Sequence, residues 1–214
     1  MGVDLGPLTW AAMASTWHLD LPSATVIVLL AGAYAWCYRR GLNSGQAVEP
    51  VQAGCFGVGI AVWALATVSV IGAYAYALFW MRALQVLLLL YVAPVFLAQG
   101  KPVTVVRNAL GPAGRERIDR LLTTRFARVL FHPLTTSLAM LATPWLLYLT
   151  PWYTAALQKE WVGAPTRILL VAIGFSYFYA RLQADPVPRR YSQLISLVIS
   201  VAEALDHVGE LADL

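Results

Sequence analysis

Charged side chains are scarce in this sequence of 214 residues. Asp, Glu, Lys and Arg together make up 12% of it, whereas a soluble globular domain has about 25%. Hydrophobic residues make up 59%, and the mean hydropathy is +0.65. A chain of this composition cannot cover its surface with polar groups, so the sequence excludes a water-soluble domain and predicts a membrane protein.

Cysteine is also rare, and the start of the chain lacks positive charge. Cys37 and Cys55 are the only two cysteines and are not spaced as CxxC, which excludes a disulfide scaffold. The N-terminal stretch carries Asp4 and Asp20 where a secretory signal peptide would begin with positive charge. We therefore expect no cleaved signal peptide.

The motifs of common enzyme classes are missing. The sequence has no Walker loop, no GxGxxG turn, no HExxH helix and no nucleophile elbow. We therefore predict that the chain is not an enzyme. The net charge of +4 could suggest a nucleic-acid partner in a soluble protein, but the distribution of the basic residues along the chain explains it differently.

Long uncharged runs alternate with short polar links, which predicts an all-α, polytopic bundle of about six transmembrane helices in a single membrane domain, 1–214. Membrane lipid is the first partner that this pattern implies. The predicted spans are about 21–38, 51–71, 78–99, 131–149, 165–182 and 191–208.

The basic residues give an orientation to this bundle. All Lys and Arg residues except Arg82, Lys159 and Arg167 fall on one side of the predicted topology, and many of them lie in the loop 101–130. By the positive-inside rule that side is cytoplasmic, so both termini are predicted outside. The excess of positive charge is therefore explained by the orientation of the protein in the membrane. We predict no nucleic-acid partner.

Four of the ionisable residues within the predicted spans stand out, because each is costly at depth unless it is paired or hydrated. Arg82, Arg167, Glu203 and Asp206 all map to the outer half of the membrane. We expect them to form a structural ion-pair cluster that holds the third, fifth and sixth helices together.

A metal site is the alternative interpretation of the same region. The residues Glu203, Asp206, His207 and Glu210 occur at i, i+3, i+4 and i+7, so they share one helix face. His18 is predicted on the same side of the membrane. The weak candidates for metal ligands are therefore His18, Asp206 and His207, although two nearby arginines would repel a cation.

One segment has a family resemblance. The run YALFWMRALQVLLL at 76–89, followed by AP at 93–94 and GKPVT at 100–104, resembles the pattern LFSxHMxQHLLLxxxAPxLLxLGxPxT of the polytopic CtaG family of cytochrome c oxidase assembly factors. Three later stretches, 132–134, 145–157 and 174–190, also resemble this family. The resemblance implies a bacterial cytoplasmic (inner) membrane protein linked to copper insertion into a haem-copper oxidase.

The presumed copper-binding histidines of that family are replaced here. Arg82 and Val86 stand where the family motif has its two histidines, and Tyr148 and Arg167 stand where it has two more. Arginine stays protonated and offers no lone pair to a metal. We therefore predict no cofactor, and copper only if it binds at relocated ligands.

Two functions remain open. The chain either assists oxidase maturation through protein contacts rather than copper ligation, or it is a permanent accessory subunit of a larger membrane electron-transfer complex. The expected partners are accordingly other membrane protein subunits, of a haem-copper oxidase or of another electron-transfer complex.

Overall fold

The computed structural model describes residues 20–46 and 48–182, and this part of the chain is helical, without β-strands. The all-α prediction is confirmed. Eleven α-helices and one π-helical segment follow one another in the described part: α1 Leu21–Asn43, α2 Pro50–Val68, α3 Val70–Tyr74, α4 Phe79–Leu87, the π segment Leu88–Val92, α5 Ala93–Gln99, α6 Pro102–Ala109, α7 Pro112–Thr123, α8 Arg125–Leu130, α9 Pro133–Leu149, α10 Trp152–Gln158 and α11 Glu160–Leu182.

Four stretches of the described chain are long and apolar enough to cross a membrane. They are α1, α2, the nearly continuous stretch Phe79–Ala109 and α11. The count is four rather than the six that the sequence predicts. The predicted span 131–149 corresponds to α9, which has only 17 residues. The predicted span 191–208 lies outside the described residues.

Local backbone chemistry sets the ends of these helices. α9 stops at Leu149 because Thr150 precedes Pro151 and is extended, with ψ 164°, as residues before proline usually are. α2 stops at Val68 because Ser69 is extended, and the Ser69 hydroxyl then caps α3 by accepting a hydrogen bond from Ile71 N at 3.2 Å. The predicted span 51–71 is thus divided at Ser69.

The third apolar stretch contains the π segment directly before Pro94. Proline has no N–H to donate to the carbonyl of Leu90, and its ring would collide with that carbonyl in a regular helix. One wider turn relieves this collision. Gly174 of α11 packs against the same carbonyl, and a Cβ at position 174 would overlap the Leu90 oxygen and lie 2.7 Å from Pro94 Cγ.

The basic segment 101–130 is helical. It starts at Lys101, whose φ of 48° lies in the left-handed region. α6 packs on α1 and buries Val105 and Ala109, whereas α7 buries no residue. Phe126 of α8 is 77% exposed, which fits a helix whose apolar side chains lie on a membrane surface.

α11 is the central helix of the bundle. It packs against α5, the π segment, α9 and α10, and touches α1. Large aliphatic side chains point outward along the other helices: Val28 and Leu138, for example, are each 68% exposed. An apolar exterior around a packed centre is the surface expected for a protein surrounded by lipid.

Candidate functional site

The first turns of α1 and α4 meet α11 at one end of the bundle, and buried charges collect there. Asp20 caps α1, Arg82 lies in the first turn of α4, and Arg167 lies two turns into α11. Their exposed fractions are 2%, 0% and 2%. Charged groups at this depth are costly unless they are paired, so their partners determine what this site can do.

Arg167 is saturated with partners. Its Nε donates to Asp20 Oδ2 at 2.7 Å, its Nη2 to Glu160 Oε1 at 2.6 Å, and its Nη1 to the hydroxyl of Tyr76 at 2.9 Å. The Asp20 pair is the enclosed one, since the Glu160 side chain is 54% exposed. Every nitrogen of this guanidinium therefore has an acceptor.

Tyr76 closes a ring of hydrogen bonds beside that guanidinium. Its hydroxyl accepts from Arg167 and donates to Glu160 Oε2 at 3.0 Å. Burial raises the pKa of Tyr76 above its ordinary value despite the nearby positive charge. The phenol therefore stays protonated at neutral pH and can serve as donor and acceptor together.

Asp20 has two roles at the start of α1. Its Oδ1 accepts a hydrogen bond from Ser23 N at 3.3 Å and caps the helix, while its Oδ2 accepts from Arg167. Burial opposes ionisation of this carboxyl, but the hydrogen bonds from Ser23 and Arg167 outweigh burial and hold the pKa of Asp20 below its usual value. Asp20 is therefore ionised at neutral pH and attaches α1 to α11.

Arg82 has a different environment. Its Nη1 donates to Gln85 Oε1 at 2.9 Å, and Gln85 Nε2 donates to the carbonyl of Ala66 on α2 at 2.7 Å. The Nε and Nη2 atoms of Arg82 are buried and have no hydrogen-bond partner among residues 20–46 and 48–182. No carboxylate of that part of the chain forms a salt bridge with Arg82.

Several tyrosines lie within electrostatic reach of Arg82. Tyr76, Tyr148 and Tyr153 all interact electrostatically with its guanidinium, as does the second cation, Arg167. The rings of Tyr148 and Tyr153 lie 5.3 Å apart. The Tyr148 hydroxyl is buried and, within the described chain, makes no hydrogen bond.

The structure brings Arg82 and Arg167 of the predicted ion-pair cluster together. Glu203 and Asp206, the carboxylates expected to neutralise them, lie outside the described residues, as do the metal candidates His18 and His207. Among the described residues no group of three or more His, Cys, Asp or Glu could hold a metal ion.

Several site residues were missed at the level of sequence. The sequence does not single out Asp20, Glu160 and Tyr76 as partners of Arg167. Two of them leave a signal: Asp20 directly precedes the Leu-Pro start of a span, and Glu160 lies seven residues, two helical turns, before Arg167. Tyr76 leaves no such signal in the sequence, because its contact with Arg167 depends on how segments distant in the chain pack together.

The positions that match the family's histidines converge in space. Arg82, Tyr148 and Arg167 interact at the same end of the bundle, and Val86 is buried one turn further along α4. The side chains of this cluster offer a ligand two guanidinium groups and phenol hydroxyls. Guanidinium offers no lone pair and repels cations, so this set of side chains does not fit a copper ion.

Comparison with known proteins identifies relatives of the chain. The sequence model of the family described as cytochrome c oxidase caa3 assembly factor (Caa3_CtaG) matches residues 32–209. No solved structure matches the chain.

Uncharacterized mycobacterial proteins are similar to almost the whole chain. Those of Mycobacterium bovis and Mycobacterium tuberculosis are each 27% identical over 204 residues, which is 91% of this chain and 31% of theirs. One of Mycobacterium leprae is 27% identical over 197 residues, 87% of this chain and 30% of its own length. The chain thus spans about a third of the length of these curated relatives.

Proposed function

Since the chain belongs to the family of cytochrome c oxidase caa3 assembly factors, we propose that it assists the maturation of a haem-copper oxidase through contacts with oxidase subunits, without ligating copper in its helical bundle. The role is non-catalytic. One observation supports the absence of copper: Arg82, Tyr148 and Arg167 converge where the family resemblance locates its ligand histidines.

The proposal includes a location and a topology. Four stretches of the described chain are long and apolar enough to cross a membrane, and α9, with 17 residues, is at the lower limit of what can span. We assign α9 as a fifth span, in the cytoplasmic membrane of a bacterium. The basic segment 101–130 then faces the cytoplasm.

The charge balance of the site supports a scaffold rather than a metal carrier. Asp20 and Glu160 are engaged by Arg167, so they are not available to neutralise a bound cation. Arg82 adds a second positive charge within electrostatic reach. A copper ion in this position would face two permanent cations, and no group of three or more His, Cys, Asp or Glu among the described residues could hold it.

Copper loading tests the metal side of the proposal. The detergent-purified protein is loaded with copper(I), desalted and analysed for copper content. We expect no retention by the native sequence, and partial retention when Arg82→His and Val86→His restore the two histidines of the family motif. About one copper per chain in the native protein, lost on His18→Ala or His207→Ala, would show a relocated copper site and overturn this part.

Deletion of the gene tests the assembly role. We expect the host to lose assembled oxidase, measured as haem absorbance and oxidase activity of its membranes, while transcripts of the oxidase subunits are unchanged. Complementation by the native gene is the control. Normal oxidase levels in the deletion strain would contradict the proposed function.

A further inference from the structure

Arg82 presents one edge of its guanidinium with nothing bound to it in the described chain. Its side chain is fully buried, and its position is fixed because Gln85 accepts from Nη1 and is itself held by the carbonyl of Ala66. The two nitrogens without partners, Nε and Nη2, belong to the same edge. Orientation by Gln85 thus leaves a defined pair of donors.

The geometry of that edge is selective. Nε–H and Nη2–H of a guanidinium are parallel and match the two oxygens of a carboxylate, which accepts them as a bidentate pair. Lys has no such fork. A lone buried cation with unmade hydrogen bonds is costly, so a group that satisfies both donors binds favourably.

Tyr148 supplies a third donor within electrostatic reach of Arg82. Its hydroxyl is buried without a partner in the described chain, and its ring interacts electrostatically with Arg82. An ionised carboxylate has about four acceptor positions, enough for the fork and for a phenol O–H. The unused donors of Arg82 and Tyr148 are therefore complementary to one and the same group.

The carboxylates of the described site are already engaged. Asp20 bonds Ser23 through one oxygen and Arg167 through the other, while Glu160 bonds Arg167 and Tyr76. We propose that Arg82 and Tyr148 form a carboxylate-binding site, in which Nε and Nη2 of Arg82 contact the two oxygens and the Tyr148 hydroxyl donates to one of them.

The carboxylate that fills this site has two candidate sources. One is a small soluble monocarboxylate. The other is the side chain of Glu203 or Asp206, which the sequence predicts at the same membrane face and which lie outside the described residues. The proposal of this site is based on the contacts of Arg82 and Tyr148. It does not depend on the proposed role in oxidase assembly.

Binding of carbon-13-labelled formate to the detergent-purified protein is the direct test, measured by saturation-transfer NMR. The double variant Glu203→Gln with Asp206→Asn removes the internal source. If the carboxylate is external, native protein and double variant both bind formate. If it is internal, only the double variant binds, because the native site is filled.

Tyr148→Phe is the specific variant, since it keeps the ring and removes one hydroxyl. We expect it to weaken formate binding roughly tenfold, the effect of one lost hydrogen bond. Tyr91→Phe, at an exposed ring on the π segment, is the matched control and leaves binding unchanged.

Thermal unfolding gives a second readout for the same variants. Formate raises the melting temperature of the binding-competent protein more than chloride does at equal ionic strength. Two outcomes overturn the proposal: neither native protein nor double variant binds formate, or the Tyr148→Phe substitution leaves formate affinity unchanged in the protein that binds it. Because oxidase subunits are absent from these experiments, their failure leaves the proposed function untouched.

Discussion

Nε of Arg167 lies 2.7 Å from Oδ2 of Asp20, a residue 147 positions earlier in the chain, and both side chains are almost completely buried. This pair joins the start of α1 to the central helix. Arg82, the second arginine at this end of the bundle, has no such carboxylate among the described residues. Two arginines at the same end of one bundle therefore have different roles: one is a structural ion pair, and the other is an open donor.

Removal of the Asp20 carboxylate should destabilise the protein strongly. Asp20→Asn leaves the buried Arg167 with a single charged partner, the half-exposed Glu160. Loss of one member of a buried ion pair costs about 3–5 kcal/mol. Thermal unfolding in detergent measures the change. Glu160→Gln is the matched control and should cost about 0–1 kcal/mol, because that carboxylate is exposed to solvent. Equal losses in the two variants would contradict the difference in burial.

The same pair predicts how stability depends on pH. The pKa of Asp20 is lower in the folded protein than its ordinary value of 3.8. Its contribution is therefore complete above that value and is lost as the pH falls below it and through the lower folded-state pKa. The gap in melting temperature between native protein and Asp20→Asn should stay constant at neutral pH and shrink below about pH 4. A gap that widens in acid would mean that folding raises the pKa of Asp20 and would contradict this prediction.

Close packing between α11 and the π segment should make Gly174 intolerant of a side chain. Gly174→Ala places a methyl group on the Leu90 carbonyl, and overpacking of this kind costs about 1–3 kcal/mol. Gly32→Ala is the control, because nothing lies within 4 Å of a Cβ there, and alanine should stabilise α1 by up to about 1 kcal/mol. Melting temperatures that shift alike in the two variants would exclude a steric role for Gly174.

The ratio of this protein to oxidase subunits separates the two functions that the sequence leaves open. An assembly factor leaves its client after maturation, so we expect it in subunit complexes from early stages and absent from the mature enzyme. Affinity purification through an oxidase subunit, followed by quantitative mass spectrometry of each stage, gives the ratio. A fixed ratio in the active complex would instead identify a permanent accessory subunit.

The sequence predicts the helical class and the main apolar stretches because lipid demands long uncharged runs with internally satisfied backbones. It misses the divisions within them. The break at Ser69 and the wide turn at Leu88–Val92 depend on single residues, one a serine that caps the next helix and one a proline that lacks a donor. Hydropathy averaged over a span does not register either effect.

The sequence singles out the two cations of the site but not their partners in the described chain. Arg82 and Arg167 are conspicuous because a charge inside an apolar run is rare. Tyr76 and Gln85 are ordinary in sequence, and their contacts follow from how α2, α4 and α11 pack. Long-range geometry of this kind is not encoded in spacing along the chain.

The two attachments of α1 have a consequence for the order of events during synthesis. Besides the ion pair of Asp20, the hydroxyl of Tyr34 donates to the carbonyl of Gly100 at 2.7 Å. α1 is the first of the described helices to leave the ribosome, yet both of its anchors are translated later, the second only when Arg167 emerges. α1 can therefore pack on α6 early, but Asp20 at its start is without the guanidinium of Arg167 until α11 is inserted.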